Sequence, residues 1–286
     1  MRSVKFLVAA GAASLLSSGA FAADMAIAPA PMYGPPPVQD FGGWYLRGDI
    51  GFSNQRVNHI AMADGRNAKL VSLQETTAFD TAGIFGVGVG YQFNNWLRGD
   101  ITGQYRGNSN FKGTDLITYP TGTGGLIANG VDNYSATKSE WLAMANAYID
   151  LGTWWCVTPF IGAGVGAARV TISNYTDNGA NNNNGTYIGG PLNPSYAGAA
   201  SASKWNLAWA LHTGLAYKVS PGLTLELAYS YINMGDGQTG PVTTFDGFTK
   251  GVPMQFKDIT SHDVKLGVRW NLESAPIYAP PLIRKG

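Results

Sequence analysis

The pentapeptide Leu-Arg-Gly-Asp-Ile occurs twice, at 46–50 and 97–101. In an exposed loop, Arg-Gly-Asp would suggest cell adhesion. In a strand, residues two apart share one face. Arg47 then sits beside Asp49, and Arg98 beside Asp100, as opposite charges on the same side of a sheet. Further charges stand in the same phase of their own runs: Glu140, Asp150, Glu226, Asp263, Lys265 and Arg269. The chemistry this pattern predicts is structural, a network of ion pairs on an inward face rather than a reaction.

Residue types suited to catalysis or metal binding are sparse. The histidines are His59, His212 and His262, and Cys156 is the single cysteine, so no intramolecular disulfide can form. His59 falls in a polar loop, where it reads as a solvated side chain or as a contact for a surface ligand such as haem. His212 reads as an inward hydrogen-bonding group. Ser261 and His262 are adjacent, so on a strand they point to opposite faces and cannot act as nucleophile and base. The run from Asp177 to Asn184 lacks the carboxylate density of a calcium site. It reads as a flexible loop. No enzyme, cofactor or metal is expected.

The elements that must carry these residues are strands. DVKLGVRWNL, 263–272, alternates strictly: Val264, Leu266, Val268, Trp270 and Leu272 on one face, Asp263, Lys265, Gly267, Arg269 and Asn271 on the other. Seven earlier runs do the same, around 44–52, 85–93, 97–105, 140–150, 161–166, 205–218 and 223–231. Nearly all have the length a tilted strand needs to cross a bilayer. Connections alternate between short (Asn94-Asn95, 152–158, 219–221) and long and polar (53–80, 107–138, 171–203, 234–258). This predicts an all-β fold, an eight-stranded antiparallel up-and-down transmembrane β-barrel with four long extracellular loops and both ends in the periplasm. A soluble β-sandwich is the competing architecture. Gly86, Gly88 and Gly90 would leave room for the long side chains of the neighbouring strands. An eight-strand lumen is just wide enough for side chains to fill, so it is expected to be plugged by ion pairs. The closing strand should bring Lys265 and Arg269 near Asp49.

The start of the chain reads as an export signal: Arg2 and Lys5, an apolar run from Phe6 to Leu16, then Ala20-Phe21-Ala22. The expected organisation is a signal peptide at 1–22, a Pro-rich periplasmic linker at 23–41, the barrel at 42–272 and a Pro-rich periplasmic tail at 273–286. Removal of the signal leaves 17 bases against 18 acids. That balance excludes a nucleic-acid partner. Charged residues make up only 13%, about half the usual share of a soluble domain, as suits an outer surface meeting lipid.

Lys265, Gly267, Trp270 and Leu272 follow the order polar-x-Gly-x-x-aromatic-x-aliphatic, which resembles the assembly signal on the last strand of outer-membrane barrels. GGWYLRGDIG (42–51), ANAYIDLG (145–152) and PFIGAGVG (159–166) resemble the small outer-membrane β-barrel proteins of the OmpA/OmpX and opacity-protein type, in their porin-like alphaproteobacterial form. That resemblance implies location in the cell outer membrane, lipopolysaccharide as surrounding lipid, passage through periplasmic chaperones and the β-barrel assembly machinery, and surface-antigen, adhesin, envelope-stabilising or haem-binding roles. The expected function is a structural and surface protein whose loops meet a host or surface ligand. A narrow porin-like channel or haem-binding receptor is the alternative, and a lipid-modifying enzyme a third reading.

Overall fold

The computed structural model describes residues 43–121, 126–183, 188–247 and 249–272. The expected signal, linker and tail lie outside these residues. Among the described residues eleven strands form one sheet, and eight of them close a ring. In chain order these eight are β1 (Gly43–Arg56), β4 (Ala82–Gln92), β5 (Leu97–Pro120), β6 (Ile127–Asp150), β7 (Val157–Asn183), β9 (Ala202–Ser220), β10 (Leu223–Thr244) and β11 (Thr249–Asn271). Each pairs antiparallel with the next, and β11 closes on β1 with Leu46 opposite Trp270 and Phe52 opposite Val264. Closure leaves no open edge inside the membrane, where an unpaired backbone group has no water to bond.

The outer face through the membrane is apolar, with Ile50, Phe85, Ile101, Leu207, Leu227 and Leu266 exposed. Trp141 and Trp205 lie at the outer rim of this band, and Trp44, Trp96 and Trp270 at the inner rim. Aromatic rings of this kind favour the two lipid–water interfaces.

The four long connections are there, but most of their residues continue as strand. β5, β6 and β7 run 24, 24 and 27 residues. Three further strands, β2 (His59–Met62), β3 (Ser72–Phe79) and β8 (Ile188–Ala199), pair onto this outer extension. The segment Asp177–Asn183, expected as a flexible loop, is strand, paired with β6 on one side and β8 on the other.

Above the membrane the alternation inverts. On β6, Asn133, Ser135, Thr137 and Ser139 now face outward, and Tyr134 and Ala136 inward. In water a strand needs its polar face outside and its apolar face packed. Register shifts on β5 between Arg106 and Ser109, on β6 between Ser135 and Thr137, and on β10 between Asn233 and Gly235 fall near this changeover. Bulges bend strands and re-aim side chains.

Candidate functional site

The barrel interior is stratified. In the periplasmic half, Arg47 donates to both oxygens of Asp49, at 2.8 and 3.1 Å, to Asp100 at 2.7 Å and to the Tyr148 hydroxyl at 3.1 Å. Arg98 bonds Asp150 at 3.1 Å and lies over the rings of Tyr148 and Phe160. Glu226 sits among three guanidinium groups, Arg98 at 3.3 Å, Arg47 at 3.5 Å and Arg269 at 3.6 Å. These separations exceed those of charge-assisted hydrogen bonds, so the attraction is electrostatic and shared.

The glycine strand β4 makes this packing possible. A Cβ at Gly90 would collide with the Tyr45 ring, and one at Gly88 would stand 3.1 Å from Arg47 Cγ. Arg47 and Tyr45 therefore lie across a strip that any larger residue would close.

At mid-height, Asn146 donates its amide to Asp100 at 2.8 Å and to Thr102 at 3.1 Å. That orients its carbonyl toward His212 Nε2 at 3.1 Å. His212 Nε2 must then carry the proton, which leaves Nδ1 to accept from Ser230 at 2.8 Å. Higher still, Arg106 grips Asp263 at 2.6 and 3.2 Å and also reaches Ser261 and Ser53. Lys138 bonds Gln55 and Glu140. The opposite wall and the space above are apolar: Leu142, Met144, Ile172, Ile232 and Met234 are buried together with Phe111 and Phe256, whose rings meet edge-on at 4.9 Å.

The sequence-derived network is thus distributed over two clusters. Arg47, Asp49, Arg98, Asp100, Asp150, Glu226 and Arg269 share the lower one, and Glu140 and Asp263 the upper. Lys265 is buried between them, over Gly51, without an ion pair within 4.0 Å among the described residues. Asp49 is held by Arg47 from its own strand; Lys265 comes near enough for its charge to act on Asp49, whereas Arg269 stands directly opposite Arg47 and turns to Glu226. The assembly-signal residues fall on β11, with Trp270 and Leu272 facing lipid and Lys265 and Gly267 inward.

Sequence reasoning missed Arg106, Lys138 and Gln55, although each continues the two-residue phase of its strand. Ser261 points into the lumen, and His262 points outward to the Tyr229 hydroxyl at 2.6 Å. Among the described residues, no group of three His, Cys, Asp or Glu side chains could hold a metal ion.

The outer extension encloses a second feature, a cup of about 590 Å³ lined by residues of β2, β5, β6, β7, β8, β10 and β11. Asp115, Asp132 and Asp177 line it. Glu75 on β3, Asp115 on β5 and Asp132 on β6 form one cross-strand row, and Asp177 on β7 stands opposite Tyr134. Burial and the nearby Glu75 charge push the Asp115 carboxyl up to about 7. Burial likewise raises Glu75, which accepts from the Ile60 amide across the gap between β2 and β3. On the rim, Lys204 and Lys257 each hold Asp236 at 3.0 Å, and these contacts, with the Asp258 amide, keep its carboxyl below the usual range.

Known proteins share this architecture's sequence pattern. The family model described as the outer membrane protein beta-barrel domain matches residues 8–271. An uncharacterised protein of Brucella abortus is 32% identical over 237 residues, 77% of this chain and 78% of that one. The outer membrane protein PagN of Salmonella typhimurium is 30% identical over 200 residues (68% and 75%), and a Rickettsia bellii protein described as a candidate adhesin is 28% identical over 241 (80% and 88%).

Proposed function

Because the chain belongs to the outer membrane protein beta-barrel domain family, we infer that this outer-membrane protein works as a surface-interaction barrel whose lumen is closed to solutes and whose extracellular strands present the binding surface. One observation carries the reading: the interior is occupied along its height, by two ion-pair clusters and then an apolar layer, while the strands continue past the membrane as a folded extension. A channel needs a continuous polar path. Here Leu142, Met144, Ile232 and Met234 are at most 3% exposed, which supports a lumen filled by side chains. Binding residues tend to be placed on segments held by a rigid scaffold, and an extension continuous with the barrel strands provides one. The descriptions of PagN and the Rickettsia protein, as an outer membrane protein and a candidate adhesin, support the same reading. Lipopolysaccharide around the rim, the assembly machinery acting on 265–272, and a contribution to envelope integrity belong to it as well.

The test is a deletion strain complemented with the intact gene. Loss of the protein should reduce attachment to surfaces or host cells and raise detergent sensitivity, with uptake of small solutes unchanged. A strain that attaches normally but fails to take up one solute would contradict the reading.

A further inference from the structure

We propose that the lipid-facing wall of the barrel carries a docking site for the phosphorylated sugar head of lipid A, the membrane anchor of lipopolysaccharide, centred on Arg169 of β7. The proposal rests on the lipopolysaccharide contact named in the reading above and gives that contact a place and a chemistry.

The first support is a charge where the wall otherwise has none. On the lipid-facing side of β6, β7 and β9, from Ile149, Ile161 and Thr213 up to Ser139, Thr171 and Ser203, Arg169 is the one charged residue among those described. It is exposed, and its guanidinium has no hydrogen-bond or ion-pair partner among the described residues. The arginines of the lumen differ: Arg47, Arg98, Arg106 and Arg269 each have a carboxylate at 3.6 Å or less. A guanidinium at the edge of a bilayer needs its donors met by water or by a headgroup. A phosphate meets them two at a time.

The second support is what stands beside that charge. Trp141 on β6 and Trp205 on β9 are directly opposite Arg169 on either side, 56% and 65% exposed. Indole rings settle at the lipid–water interface, so this row lies at headgroup height, and each ring carries an N–H donor. Next outward along the same strands comes a row of hydroxyls, Ser139, Thr171 and Ser203, with the Thr171 and Ser203 oxygens 2.9 Å apart. Next inward, Ala143, Ala167 and Leu207 face lipid, followed by Ala145 and Val165. Acyl chains hanging from the head therefore meet a wall with few bulky side chains. Arg56 and Lys112 also face outward, but beside Thr260 and Ser135 rather than Trp.

The width of the site selects among anionic lipids. Three adjacent strands span roughly 10 Å, which suits a disaccharide better than a single glycerol phosphate. Arg169 supplies the charge, the hydroxyl row meets sugar oxygens, and the two indoles flank the head.

The experiment is a lipid titration of the refolded protein in detergent, read by native mass spectrometry. The probes are lipid A carrying both phosphates, lipid A stripped of them, and phosphatidylglycerol. Saturable binding of the phosphorylated lipid A is expected, about tenfold tighter than either other lipid, the worth of charge-assisted hydrogen bonds to one phosphate. Arg169→Ala and Arg169→Gln should each lose that preference, and Arg56→Ala should keep it. The proposal is overturned if the stripped lipid or phosphatidylglycerol binds as tightly as phosphorylated lipid A, or if either Arg169 variant keeps the preference. Arg169 is exposed, so both variants should refold; should one fail, the other carries the same test. Attachment by the deletion strain is a separate readout, so a failed titration leaves the surface-interaction reading standing.

Discussion

In the lower half of the lumen, Arg47 joins β1 to Asp100 on β5, Tyr148 on β6 and Glu226 on β10. Removing it leaves three buried carboxylates short of a cation. Breaking a buried charge pair from one side costs about 3–5 kcal/mol. Arg47→Ala should therefore lower the unfolding free energy of the refolded barrel, read from urea titration, by that amount, whereas Arg56→Ala, on an exposed side chain, should change it little; equal effects would show that the network does not stabilise the fold. How much of the network was legible depended on where each residue lay. Arg47, Asp49, Arg98 and Asp100 sit beneath a clear apolar outer face, so their phase was plain. Arg106 and Lys138 lie at the outer rim, where the outward neighbours turn polar and the phase loses its marker. The cup was not legible, because Glu75, Asp115 and Asp132 are 17 to 57 residues apart in the chain and meet through the register of β3, β5 and β6.

The strands illustrate the same limit. Eight of them, their order and their short turns could be read from period-two alternation of apolar residues. The outer extension could not, because its alternation has the opposite sense: polar outward, apolar inward, as solvent demands. Read for lipid-facing residues, such a stretch looks like loop. Cys156, exposed in a periplasmic turn, can be replaced by Ser to give a clean background for labelling. On β6, Ser135→Cys should then react with a membrane-impermeant maleimide on intact cells, and Ala143→Cys, eight residues on and facing lipid, should not. Labelling at both or at neither would contradict the assigned membrane boundary.

At the scale of the molecule, the barrel joins two environments with one set of strands. The membrane segment turns its apolar face to lipid and balances its buried charges inside. The extension turns its polar face to water, fills its interior with Phe111, Phe256 and their neighbours, and encloses a cup. In the proposed reading, the buried side chains between lumen and cup let the protein offer a surface outside without opening a path through the membrane. Conductance of the purified full-length protein in planar lipid bilayers tests this most directly. The account predicts no steady conductance above the bare bilayer at neutral pH, and stable channels of nanosiemens size would contradict it.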